Sequence, residues 1–539
     1  MAYSIIAAGG SLYRMTTAGV ATALTLPTDV TLSSTRPARM AVLGRNIAVV
    51  NGANRSLVVD PLGTVRHMQL TPPASPVILA AGSAGSLSGT FQVKYTYITK
   101  DPVSGALLAE SDFSPASAAS STLTSDLLNV TGIGLSPDSD VTHRRLYRTA
   151  TGPGSTYFHW IDVDGNTITA TSNDMSDTAL SVVAAPTERG VAPGAILGTY
   201  MTRCVEWKQR LWGVGDLDVD TLRYSGSGTY YGWPATYGFS IAPVGADEFG
   251  ITGLMPRRDE LGIARRNILW KIIHNGTNSD GTPNFEAIRV YNGKGCWAPD
   301  SVVVSNDVAY FLGEDGIYTW DSSGIRCISD EAGVRKWFTS TTYFNKAQFQ
   351  NAFAHYNSVY NTYELHLAAA GSSNIDRWIA YDIKHRRFFG PHLTSAFTPS
   401  AALQLYDADS QAIPVLGNTT GFVSQKNQTA FTDWTSAIAM SLTTKFHDGQ
   451  TPDITKQWLQ PALLNAIQAS AGTLTMGVYR GDLNASLTKT YTADMTKGRQ
   501  RFSRIGAGRF VQFVLAESTN NLGAEIFGYE LPFFELGRR

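Results

Sequence analysis

Charge is scarce in this sequence. Asp, Glu, Lys and Arg make up 16% of its 539 residues, against about a quarter in an ordinary soluble chain. Forty-three basic residues stand against 44 acidic ones, a formal net charge of -1, so no bulk field favours clamping nucleic acid or an anionic membrane. Cysteine is scarcer still. Cys204, Cys296 and Cys327 are odd in number and far apart, which excludes a disulfide framework and a C-x-x-C zinc site and points to synthesis in a reducing cytoplasm. No run of eighteen apolar residues occurs, and the first residues lack a basic stretch before an apolar one. Neither a spanning helix nor a signal peptide is expected, so the chain is read as soluble when made.

Chemical motifs are missing as well. There is no G-x-S-x-G elbow, P-loop, H-E-x-x-H or dinucleotide fingerprint, and the Gly-rich "YSGSGTYYG" (224–232) lacks the lysine and following helix of a phosphate cradle. The nine histidines sit singly. His159 and His366 fall inside strand patterns, where a hydrogen-bonded structural imidazole is the simpler reading. No catalytic residue, cofactor or metal is assigned, and the chain is expected not to be an enzyme.

What is present is β-structure. Short runs rich in Val, Ile, Tyr, Phe and Thr alternate in polarity and end at Gly, Asn or Asp, while helical periodicity is rare. "SNDVAYFLGEDGIYTWDSSGIRCISD" (305–330) predicts a meander: strands over Val308–Leu312, Ile317–Trp320 and Ile325–Ser329, with turns at 313–316 and 321–324. Five further strand–turn–strand stretches start near residues 45, 208, 267, 376 and 412. Their irregular spacing, on the order of 40 to 60 residues, suits the blades of a β-propeller better than a solenoid, though neither a WD nor a kelch signature is present. A few short helices are expected, the best in "DEAGVRKWFTST" (330–341), with Asp330 as its cap.

The series is interrupted once. Between a Pro, Ala, Gly and Ser-rich joint and the linker "APTERGVAPGAI" (185–196), some seven alternating strands have the pattern of an immunoglobulin-like sandwich without its disulfide. The expected fold is therefore all-β: a six-bladed β-propeller over 1–75 and 188–431, an inserted immunoglobulin-like sandwich over 76–187, and a C-terminal β-sandwich over 432–539.

A few constellations merit a chemical reading. Asp216, Asp218 and Asp220 in "GDLDVD" have period two, which on a strand would put three hard oxygen ligands on one face for calcium. No EF-hand Gly or distal Glu follows, and a charged strand edge or loop is the preferred reading. "HNGTNSDGTPN" (274–284) has the composition of a calcium loop and equally of a hairpin tip. Glu314, Asp315 and Asp321 are candidates for glycoside hydrolysis, each at a position where a turn needs an acid. The aromatic stretches "STYFHW" and "GTYYGWPATYGF" would stack sugars or bases if exposed, and are core if not. Basic residues at 144–145, 257–258, 265–266 and 384–387 form no stripe and are read as possible subunit contacts.

Three stretches resemble the tail nozzle proteins of short-tailed bacteriophages, also called tail tubular protein B or packaged-DNA stabilisation proteins. "YTYITKDPVSGALLAESDFSP" with "THRRLYRTATGPGSTYFHWIDV" is similar to the inserted module of phage tail propellers. "DTLRYSGSGTYYGWP" and "PDSVVVSNDVAYFLGEDGIYTWDSSGIRCISD" look like their recurring propeller passages. The resemblance covers most of the chain and rests on β patterns and module order. It implies a homo-oligomeric ring, a hexamer in the family's usual form, at the distal end of a virion tail. The ring would be bound to the tail adaptor or portal complex and in some members to fibres or spikes. Its lumen would retain packaged DNA and conduct it at ejection, without sequence-specific binding. The alternatives are a carbohydrate-binding or carbohydrate-cleaving tail protein and a bacterial surface propeller used in adhesion.

Overall fold

A computed structural model of the chain describes residues 3–152, 154, 156–180, 200–234, 236–243, 249–279, 281–394, 397–406, 409, 411–426, 432–433, 436–437, 440–468, 474–481, 486–517 and 526–536. It is all-β, built of many small antiparallel sheets. Two compact units are formed, one by Met1–His392 with Ser400–Ser424, the other by Leu393–Pro399 with Gln425–Arg539. The expected linker at 185–196 lies outside the described residues, as does most of the chain just before 432. No helix among the described residues is long and apolar enough to cross a membrane.

The first unit contains seven meanders in which consecutive strands are neighbours. The first sheet is Tyr3–Ala8, Ser11–Thr16 and Ala21–Ala23. The second is Arg39–Leu43, Asn46–Val50, Leu57–Val59 and Val65–His67, and the third Met201–Trp207, Arg210–Gly215, Thr221–Tyr224 and Gly238–Ser240. The fourth comprises Gly253–Pro256, Glu260–Ala264, Ile268–Thr277 and Pro283–Asn292, and the fifth Val303–Ser305, Val308–Leu312, Ile317–Asp321 and Gly324–Cys327. Phe353–Asn357, Thr362–Ala368, Ile375–Asp382 and Arg387–Leu393 make the sixth; Pro399–Tyr406, Ala412–Asn418 and Val423–Gln425 make the seventh. The six stretches singled out in the sequence are sheets two to seven. The one beyond that count is the first, whose short strands turn at Gly9-Gly10, both at positive φ (56° and 81°) as a two-residue hairpin loop requires.

Alternation explains how these sheets stack. In the fifth sheet Ala309 and Phe311, with Tyr318 and Trp320, share a core with Met255, Ala264 and Leu269 of the fourth. The intervening Tyr310, Leu312 and Ile317 share another with Tyr363, Leu365, Ile379 and Tyr381 of the sixth. Both faces are buried, so the strand reads as the continuous apolar run "VAYFL". The same logic joins sheets one and two through Leu12, Val49 and Leu57, two and three through Val50, Val58 and Leu211, and three and four through Trp212, Leu222, Leu261 and Ile263. The seventh sheet returns to the first, with Leu405 and Val415 packed on Met15.

The end of the fifth sheet and the segment after it correct three details of the prediction. The sheet's last strand ends at Cys327, because a helical turn begins at Ile328. The predicted helix is two short ones, Ile328–Glu331 and Lys336–Thr339, separated at Gly333 (φ 72°). Cys327, not Asp330, occupies the N-cap and supplies no capping side chain, so Asp330 sits inside the first turn.

Between sheets two and three the chain forms a separate module of seven strands around its own core, which includes Tyr95, Tyr97, Leu128, Val130, Leu146 and Trp160. One of its sheets has the order Leu107–Glu110, Val93–Lys100, His143–Arg148, Phe158–Asp164; the other has Ala170–Asn173, Leu123–Thr131, Ile78–Gly89. After Glu110 the edge is completed by serines at every third position. Ser111, Ser114, Ser117 and Ser120 donate their N–H groups to the carbonyls of Tyr97, Tyr95, Val93 and Phe91 at 2.8–2.9 Å. Their hydroxyls accept from the N–H groups of the same four residues at 2.9–3.1 Å. Each serine thus satisfies both polar groups of one edge residue, which leaves that edge no template for further pairing.

The second unit has a four-stranded sheet of Met440–Thr443, Phe510–Glu517, Thr475–Gly481 and Ser486–Thr492. Two three-stranded sheets are centred on Lys456–Trp458 and Ala462–Asn465. They enclose a core containing Trp458, Leu463, Met476, Val478, Val511 and Phe513.

Close approach of sheets four and five depends on Gly262, where an added Cβ would stand 2.6 Å from the Trp320 ring. Gly262→Ala is expected to cost about 1–3 kcal/mol of stability, read as a lowered thermal midpoint of the full chain. Gly417→Ala, where the nearest atom to an added Cβ is 3.9 Å away, is expected to change stability by less than about 0.5 kcal/mol.

Candidate functional site

The acids of the fifth sheet are committed to its turns. Asp315 accepts from the Tyr318 hydroxyl at 2.6 Å, from Lys294 Nζ at 2.9 Å, and from Arg335. Burial opposes its charge, but these three donors outweigh it and hold the carboxyl well below the usual carboxylate range. Tyr318 is pushed up in turn by its own burial and by Asp315. At Asp321, burial is likewise outweighed by the Ser323 hydroxyl and N–H and by Arg326, and the carboxyl is lowered. A general acid must carry a proton near neutrality, and these two carboxyls are held ionised. Glu314 is exposed, 3.7 Å from Lys346.

The other candidates disperse. Asp216, Asp218 and Asp220 follow a strand instead of forming one, and each has a separate partner: the Tyr200 N–H at 2.9 Å, Arg223 at 3.7 Å, and Arg265. Residues 274–284 are the tip of the long hairpin of the fourth sheet, closed by Asn278 N–H to the Thr282 carbonyl at 2.8 Å; Asp280 lies outside the described residues. The aromatic stretches are part interior and part half-buried, with Tyr157, Phe158, His159, Tyr231 and Phe239 in the second class. Trp160, Tyr230, Trp233 and Tyr237 are buried, and the Trp233 indole donates to the Tyr230 carbonyl at 2.8 Å. Three of the basic candidates for subunit contacts are interior too. Arg144 donates to the carbonyls of Gly165 and Ile168, Arg257 lies over the Trp320 ring at 4.7 Å, and Arg265 pairs with Asp220. Cys204 and Cys296 are buried, which pushes both thiols up to about 12 and keeps them protonated.

Polar side chains do converge where the inserted module meets the second sheet, a place the sequence reading did not single out. Arg55 donates to both carboxylate oxygens of Asp138, at 2.5 and 3.0 Å, and to the Gln69 carbonyl at 2.7 Å. His67, fully buried, stands between Asp140 (Nδ1, 2.8 Å) and Asp29 (Nε2, 3.0 Å). Thr71 donates its N–H and hydroxyl to Asp138 at 2.6 and 3.0 Å. From the third sheet, the Tyr230 hydroxyl donates to the Leu108 carbonyl at 2.6 Å. Burial alone would raise the Asp138 carboxyl, but the Arg55 hydrogen bond and charge and the Thr71 N–H prevail and lower it. The arrangement is a charged latch that fixes the module to the stacked sheets.

No family model matches the chain, and no curated protein matches it. Among solved structures it is similar to PorZ, an essential bacterial surface component of the type-IX secretion system of Porphyromonas gingivalis. That match has 9% identity and a TM-score of 0.28 over 99% of this chain and 80% of that one. It is also similar to a glycoside hydrolase family 43 arabinoxylan arabinofuranohydrolase from Bacillus subtilis, with 9% identity and a TM-score of 0.14 over 100% and 95% of the two chains. The expectation that the chain is not an enzyme is corrected here. It rested on the order of modules together with the missing catalytic motifs, and is withdrawn with a glycoside hydrolase among the matched structures. At that TM-score the match carries no argument for an activity either.

Removal of Arg55 would leave the Asp138 carboxylate buried without its cation. Arg55→Ala is expected to destabilise the chain by about 3–5 kcal/mol at neutral pH, measured by urea unfolding. Because the Asp138 carboxyl is lowered on folding, its contribution is present above the unfolded value near 3.8 and is lost as pH falls through the folded one. The difference between wild type and Arg55→Ala should therefore shrink below about pH 4, and a pH-independent difference would contradict the latch.

Proposed function

We propose that the chain is the structural subunit of the distal tail nozzle of a short-tailed bacteriophage, made in the host cytoplasm and assembled into the virion. The observation that carries this reading is the order of modules along the chain. Small antiparallel meanders, read as the blades of a propeller, run from residue 3 to 425; a seven-stranded, two-sheet module interrupts them once; a second β unit follows. In this reading the propeller has seven blades rather than six. The interrupting module, with sheets of four and three strands, is the immunoglobulin-like insert, and the second unit is the C-terminal sandwich.

The physical chemistry supports a conduit. A channel that DNA must leave quickly should make few phosphate contacts, since each one adds affinity and salt dependence. Net charge is -1, and Arg66, Arg144, Arg148, Arg257 and Arg265 are buried, which withdraws these five guanidinium groups from contact with phosphate. The chain would form a cyclic homo-oligomer, a hexamer, on the tail adaptor or portal complex, with fibres or spikes as further partners.

Negative-stain images of the purified full chain, alone and mixed with a tail adaptor, test this. Rings, in the chain alone or only on the adaptor, are expected; isolated monomers in both samples would overturn the proposal. Double-stranded DNA added to the rings is expected to bind weakly, with a shallow dependence of affinity on salt.

A further inference from the structure

The two faces of the sixth sheet differ in chemistry. Tyr363, Leu365 and Leu367 enter the apolar core shared with the fifth sheet. The alternate residues Thr362, Glu364 and His366 therefore occupy the opposite face, and all three are buried. Register sets Phe353, His355 and Asn357 of the neighbouring strand beside them, pairing His355 with Glu364 and Phe353 with His366. A face that alternation would assign to apolar side chains or to water is both polar and buried.

Three of these side chains converge. One donor atom each from His355, Glu364 and His366 lies within 4.8 Å of the others. His355 Nε2 is 3.3 Å from Glu364 Oε2. Asn357 Nδ2 and Thr362 Oγ1 donate to Glu364 Oε1 at 2.9 and 3.1 Å and so hold the carboxylate in place. The two imidazoles lie 5.5 Å apart at 22°, and the Phe353 ring stacks on His366 at 4.6 Å. His355 is 7% exposed, and among the described residues neither of its ring nitrogens has a hydrogen-bond partner.

An ordinary ion pair needs only one imidazole for one carboxylate; a second imidazole at the same point would add charge if protonated. Two neutral imidazoles and one carboxylate are instead the donor set of zinc and neighbouring first-row cations, whereas calcium and magnesium prefer oxygen alone. Asn357 and Thr362 take the part of the outer hydrogen bonds that orient such ligands. A second cluster among the described residues, Asp29, His67 and Asp138, has one imidazole and two carboxylates and already has a resident cation in Arg55.

We propose that His355, Glu364 and His366 bind one divalent transition-metal ion, zinc or a close analogue, on the buried face of the sixth sheet turned away from the fifth. This stands independently of the nozzle reading. The test uses the full chain, stripped with chelator and titrated with Zn2+ by calorimetry and with Co2+ by visible absorption. One equivalent is expected to bind, with a raised thermal midpoint. Glu364→Gln and His366→Gln should each weaken affinity by at least about tenfold, with unchanged circular dichroism in the metal-free state. Absence of one-equivalent binding in the wild type, or unchanged affinity in folded variants, would overturn the site. If the variants do not fold, X-ray absorption of the zinc-loaded wild type decides. Two imidazole nitrogens with carboxylate oxygen support the proposal, and any other ligand set overturns it.

Discussion

None of the seven sheets can bury itself. Each has three or four short strands, and a sheet of that size with apolar side chains on both faces is stable only when covered on both. The chain meets this constraint in sequence order, each apolar face covered by the sheet before or after it. Met15 against Leu405 and Val415 then covers what would otherwise be the exposed ends of the series. An open stack would need polar capping repeats; a closed one does not. One face departs from the rule, the side of the sixth sheet that carries His355, Glu364 and His366, where burial is reached with polar groups held by one another.

A second buried polar cluster sits at a joint. The inserted module has its own apolar core, but the residues that fix it to the second sheet are Arg55, His67, Asp29, Asp138 and Asp140. Apolar packing would hold the module with little directional preference, whereas a two-pronged guanidinium–carboxylate pair sets its angle. The cost is that the latch depends on both partners remaining charged, which ties the joint to pH in a way the apolar cores are not.

Strand alternation and turn residues made most of this architecture legible. "VAYFLGEDGIYTWDSSGIRC" is a meander in sequence and in structure because both of its faces are buried and its turns carry Gly and Asp. Signals that depend on tertiary context were hidden. The turn at Lys208-Gln209 has both residues at positive φ without a glycine, so it carries no turn signature. The serines at 111, 114, 117 and 120 have a period of three, which matches neither a strand nor a helix and makes sense only beside an edge strand. "GDLDVD" has strand spacing, yet each carboxylate is drawn to its own donor. His366 stands alone in the sequence, since His355, paired with Glu364, is brought diagonally beside it by register across a hairpin. The available clue was "TYELHL", in which polar residues alternate with core residues in a strand that is buried throughout.

Closure of the seven-sheet series is the central claim, and native-state hydrogen exchange of the full chain measures it most directly. In a closed series the first and seventh sheets have neighbours like any other, so their central strand amides should exchange within about tenfold of those in the fourth sheet. Exchange that quickens steadily from the fourth sheet towards residues 3–23 and 399–425 would describe an open stack fraying from its ends, and would contradict the account.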